Sequence, residues 1–143
     1  MKSRIHAFAG VMALLVIAIF WTSTLITEAF LSYTAVAKVK TGILYSMLLL
    51  VPALMVTAGS GFSLAGRRRE PLLAAKKQRM PFVAVNGLLI LLPAAFFLQS
   101  RAVAGNFDTW FYIAQAVELL AGGSNLALMG MNLRDGLRLR RTA

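Results

Sequence analysis

Four apolar stretches, at about 6–31, 41–63, 81–99 and 109–131, are separated by segments rich in lysine and arginine. Each is long enough to cross a bilayer, which takes about 20 helical residues. None shows the strict in-and-out alternation of a membrane strand. Lipid offers no partner to open backbone groups, so helices are the remaining way to span it. The pattern predicts an all-α, polytopic membrane protein: four transmembrane helices in an antiparallel bundle, forming a single transmembrane domain over 1–143. A basic loop over 64–80 and a basic tail over 132–143 flank the later spans.

Composition agrees with lipid as the solvent. Hydrophobic residues make up 59% and charged residues 14%, and mean hydropathy is +0.73, whereas soluble chains are roughly a quarter charged. The opening "MKSR" and the "AVA" at 35–37 resemble a signal peptide and its cleavage site. A signal's apolar region is only about 7–15 residues long, so the longer run here is expected to stay as an uncleaved first span. With no cysteine, disulfides, thiolate metal sites and iron–sulfur clusters are excluded.

The net charge of +10 is mostly topology. Lys2 and Arg4 precede the first span, and Arg67, Arg68, Arg69, Lys76, Lys77 and Arg79 lie between the second and third. Arg134, Arg138, Arg140 and Arg141 follow the fourth. Only Lys38, Lys40 and Arg101 fall on the other side. The excess places both termini in the cytoplasm of a bacterial-type inner membrane, and nucleic acid is not an expected partner. The six bases of the second loop are candidates for contact with anionic headgroups. "LLAAKKQR" after Glu70-Pro71 could form a short surface helix with Leu72 and Leu73 in the interface, or remain a solvated loop.

Polar residues inside the apolar runs are few. Gln115, Glu118, Gly122 and Asn125 recur at helical spacing and form one stripe of the fourth span, which must face protein or water rather than lipid. Glu118 falls roughly 13 Å below the outer boundary. Trp21, Thr24 and Tyr45 occupy similar depths and are candidate hydrogen-bonding partners for it. Glu28 lies higher, within reach of Lys38 or Lys40. With no cation expected at its own level, Glu118 is expected to be neutral or to share hydrogen bonds with Gln115. Asn86 and Asn125 lie at matching depths and could pair between spans 3 and 4. Gly122 and Gly123 should permit close helix packing, and Pro52 and Pro93 should kink their helices. Stretches 30–37 ("FLSYTAVA") and 97–104 ("FLQSRAVA") match at five of eight positions, which raises a possible hairpin duplication at an offset of 67.

No nucleophile–base arrangement, phosphate loop or metal cluster is apparent, so an enzyme is not expected and no catalytic residue or metal site is assigned. The single histidine, His6, is a candidate ligand for haem b, although a haem usually needs a second axial ligand; no cofactor is otherwise expected. "RMPFVAVNGLLILLPAAFFL", "FDTWFYIAQAVELLAGGSN" and "NLRDGLRLR" together resemble small bacterial inner-membrane proteins of similar length, a group that implies no particular activity. His6 followed by Trp21 in the first span resembles copper-resistance and b-type cytochrome membrane families, whose further histidines this chain lacks. The leading expectation is a non-enzymatic accessory or oligomeric membrane component with a membrane-protein partner or a second copy. The alternative is a small transporter or proton-coupled channel using the Glu118 stripe; a weaker one is haem-based electron transfer.

Overall fold

A computed structural model describes residues 2–65 and 71–141. Helix α1 runs Lys2–Phe30 and α2 Tyr33–Ala65. Helix α3 (Pro71–Asn86) passes through a π turn at Gly87–Leu91 into α4 (Leu92–Val103), and α5 covers Thr109–Arg141. Asn86, Leu91 and Leu92 all keep right-handed helical dihedrals, so α3, the π turn and α4 form one rod. Among the described residues the chain is therefore four helical rods without strands. Three segments, His6–Phe30, Tyr33–Thr57 and Lys77–Val103, are long and apolar enough to cross a membrane. Large apolar side chains such as Phe8, Leu48, Leu89 and Leu120 point outward, which suits lipid rather than water.

Several boundaries differ from the sequence expectation, each for a local reason. The first connection is only Leu31–Ser32, because Ser32 caps α2 directly: its Oγ accepts from Ala35 N at 3.4 Å, as expected of an N-cap serine. Lys38 and Lys40, expected in a loop, are thus two turns into α2. The basic stretch 64–80 is helical from Pro71 onward and runs straight into the third rod, rather than forming a separate surface helix or loop. Proline suits a first helical turn, where its missing N–H has no partner to lose. The tail is likewise helical to Arg141.

The other turn is also written locally. Gly105, at φ +72°, ends α4; its N–H reaches Ala102 O and that of Asn106 reaches Arg101 O, the paired bonds of a glycine C-cap. Asp108 then caps α5 through Phe111 N at 3.0 Å and pairs with Arg101 at 3.1 Å. Beside this turn Tyr33 stacks on Phe107, which meets Phe111 edge-to-face. The proposed duplication fails here. The 31–32 turn aligns with 98–99 inside α4, and the 104–108 turn aligns with 37–41 inside α2. The matching stretches occupy different places in their hairpins.

The π turn has its own cause. Leu92 N donates to Gly87 O, one residue farther back than in an α-helix. Pro93 follows at once; its ring crowds the preceding turn and cannot donate, and the wider turn gives it room. Two apolar clusters fill the bundle. Val36, Leu98, Ala102 and Phe111 lie near the short turns. Ala13, Ile17, Leu50, Val83 and Met129 lie toward the termini. A polar layer separates them.

Candidate functional site: a buried charged layer above an apolar cavity

Lys40 stands about two turns into α2 and Glu118 about two and a half turns into α5, so both lie roughly 10–14 Å from the turn end of the bundle. Lys40 Nζ contacts Glu118 Oε2 at 2.5 Å, and the lysine is 1% exposed. It also donates to Thr24 Oγ1 of α1 at 3.4 Å. Gln115, one turn before Glu118, donates through Nε2 to the same carboxylate oxygen at 3.0 Å. Three rods thus converge on one ammonium. The expectation that no cation lies at the level of Glu118 is overturned, because α2 begins earlier than its hydropathy indicates and carries Lys40 inward.

Glu28, one turn from Thr24 on α1, is close enough to feel the charge of both Lys40 and Glu118. Among the described residues its buried Oε1 has no hydrogen-bond partner, and neither has Oε1 of Gln115. Two carboxylates, one ammonium and two unfilled acceptors therefore share this layer. Unfilled buried acceptors are uncommon in folded proteins. A layer that keeps them is equipped to receive a proton or another donor.

Of the partners expected for Glu118, only Thr24 shares its network, through Lys40. Tyr45 is 69% exposed on the outer face of α2: five positions beyond Lys40, it is turned well over 100° around the helix from that side chain. Trp21 donates instead to the backbone carbonyl of Leu119 at 2.9 Å. Gly122 and Gly123 make that possible. A Cβ on Gly122 would stand 3.2 Å from Trp21 Cδ1, and one on Gly123 would stand 3.6 Å from Trp21 Nε1.

Below the charged layer, between α1, α2, the π turn and α5, lies a cavity of about 130 Å³. Glu118, Thr24 and Trp21 contribute to its upper wall, Asn125 and Gly87 to its lower part; Phe20, Met47, Leu54 and Leu91 are among its apolar lining. The π turn brings Gly87, Leu88 and Leu91 to this wall. Asn86 Nδ2 donates to Asn125 Oδ1 at 2.8 Å and to Ala121 O at 2.9 Å. Asn125 Nδ2 reaches Val83 O at 3.4 Å. This amide pair lies at the cavity floor.

Toward the termini, Arg79 pairs with buried Asp135 at 2.7 Å and reaches Asn132 Oδ1 at 3.5 Å. Arg134 approaches the same carboxylate at 3.4 Å. The hydrogen bond from Arg79 holds the Asp135 carboxyl below its ordinary range against the opposing effect of burial, and the Arg79 and Arg134 charges add to the lowering. Arg79, expected at lipid headgroups, is therefore a clasp between α3 and α5. Arg67, Arg68 and Arg69 lie outside the described residues, as does the side chain of Lys76; Lys77 is partly buried. His6 Nδ1 lies 3.0 Å from Thr57 O, tying α1 to α2.

Comparison with protein-family profiles, curated proteins and solved structures finds no match to this chain.

Proposed function

We propose that the chain is a four-span integral protein of a bacterial-type inner membrane, with both termini cytoplasmic, acting as a small proton-coupled carrier. The observation that carries this reading is the Glu28–Lys40–Glu118 layer, its lysine buried and its two glutamates half-buried, with two unfilled acceptors, directly above a cavity. An ion pair in an apolar interior contributes little net stability compared with well-packed apolar residues. Ionisable groups within membrane helices commonly mark ion or proton paths. An accessory or oligomeric role, which the sequence alone favours, supplies no reason for such a layer beside a cavity.

Two features support a fourth crossing by α5. Its polar stripe is turned into the bundle, and Trp110, Ile113, Val117 and Leu120 are exposed on the opposite side, an apolar face for lipid. Lys40, one of only three bases assigned to the non-cytoplasmic side, is buried rather than looped, which strengthens the charge asymmetry.

The test is proton flux in reconstituted vesicles carrying an internal pH-sensitive dye, driven by inward gradients of sodium, potassium or simple organic cations. Wild-type protein is expected to alkalinise the lumen under at least one of these gradients, and Glu118→Gln to abolish the response. Absence of flux with wild type, or equal flux with both proteins, overturns the carrier reading.

A further inference from the structure

We infer that the cavity beneath Glu118 is a binding site for a lipid-soluble organic ammonium of about single-ring size, its charged head against Glu118 and its apolar body among Phe20, Met47 and Leu54. This rests on the carrier reading of the same layer and names its substrate class.

Size is the first argument. The volume of about 130 Å³ is close to that of an apolar protein cavity of about 150 Å³ that takes up benzene. The second is the distribution of polarity. The walls are almost wholly apolar, while Thr24 and Glu118 supply acceptor oxygens at one end. Both hydrogen bonds received by Glu118 fall on Oε2, and among the described residues Oε1 accepts none, although the residue lines the cavity. A head group rising through the cavity meets that oxygen without displacing Lys40.

Charge decides what kind of head group fits. Glu28 and Glu118 bring two negative charges and Lys40 one positive, so the layer reaches neutrality with one further positive charge. In the empty protein a proton supplies it; in the loaded protein the ammonium supplies it and the proton leaves. Uptake of one R–NH3+ is thus matched by release of one H+, and no bond to carbon forms or breaks. In the empty state the Glu28 carboxylate, whose Oε1 is unfilled, can hold the proton, while the amide Oε1 of Gln115 serves only as a hydrogen-bond acceptor. Entry is from the side. Met55 and Leu88 line the cavity and are 67% and 47% exposed on the bundle surface, so a molecule dissolved in lipid reaches it between α2 and the third rod.

The experiment is calorimetric titration of the purified full chain in detergent with benzylamine and, as a neutral molecule of nearly the same shape, benzyl alcohol. Benzylamine is expected to bind roughly tenfold or more tightly, the usual scale for a contact with a charged partner. Its binding heat should vary with the ionisation enthalpy of the buffer, reporting proton release. Glu118→Gln should erase the preference for the amine. Met55→Trp, a change at an exposed position on the cavity mouth, should weaken both probes. Equal affinity for the two probes, a preference that survives in Glu118→Gln, or unchanged binding in Met55→Trp overturns the inference. Those results leave Glu118-dependent proton flux standing. Selective amine binding without any flux in vesicles instead retires the carrier reading and keeps the site.

Discussion

Lys40 of α2, buried, and Glu118 of α5, half-buried, lie 78 positions apart in the chain and form an ion pair that ties the middle of the bundle together. Removing one partner leaves a charge without compensation, which typically destabilises by about 3–5 kcal/mol. Lys40→Met and Glu118→Leu alone should each lower the thermal midpoint in detergent strongly. The double variant should recover most of the loss, because the remaining cost is one of apolar fit. A double variant as unstable as the sum of the singles would mean the two side chains are not coupled.

The contact between Trp21 and the glycines of α5 gives a second contrast. Gly122→Ala places a methyl group 3.2 Å from Trp21 Cδ1, so the indole must shift and its bond to Leu119 O weaken. A net hydrogen bond is worth about 1 kcal/mol, and a loss of that order is expected in unfolding measurements. Gly130→Ala meets nothing within 4 Å and removes a helix-interior glycine, which should stabilise by up to about 1 kcal/mol. Opposite signs for the two changes are the outcome to look for.

The clasp between Arg79 and Asp135 predicts a specific acid response. The Asp135 carboxyl titrates below its ordinary value of 3.8 in the folded protein. Its contribution is therefore complete above that value and is lost as pH falls through the lowered one. Melting curves of wild type and Asp135→Asn should run parallel above about pH 5 and converge at lower pH. Curves that stay equally separated down to pH 2 would remove this group from the acid response.

Topology can be read directly, since the chain has no native cysteine. Asn106→Cys in the turn between α4 and α5 should react with a membrane-impermeant thiol reagent on intact cells. Leu137→Cys, exposed near the end of α5, should react only after permeabilisation. Labelling of both sites on intact cells would contradict the proposed orientation.

The helical architecture and the inward face of α5 were legible because lipid restricts the backbone to helices and Gln115, Glu118, Gly122 and Asn125 keep a helical period. Lys40 was not, because a lysine beside apolar residues at a span end reads as loop. Two signals pointed the other way. Ser32 is a good N-cap, and Val36, Lys40, Ile43 and Leu50 share a helical spacing and are all buried, so the lysine belongs to the packed stripe. Arg79 and Asp135 were hidden similarly: a count of bases for topology treats Arg79 as solvated and passes over Asp135, and their partnership depends on α3 and α5 both continuing past the apolar segments. The apparent duplication shows the opposite hazard, a similarity of letters that ignores where the chain turns.

The wide turn at Gly87–Leu91 carries one residue more than a regular helix needs between its two buried faces. Val83 and Asn86 are buried before it, and Ala95, Leu98 and Ala102 after it. An α-helix advances about 100° per residue, so twelve regular steps would leave Ala95 about 120° from Val83, whereas eleven leave it within about 20°. The wide turn absorbs the surplus step and keeps both halves facing the bundle. Deleting one residue of the turn, such as the outward-facing Leu89, therefore restores a regular helix without turning Ala95 and Leu98 out of their seats. A second deletion, or an insertion, swings the upper half by about 100°: the rod holds a single spare residue and has no other to give.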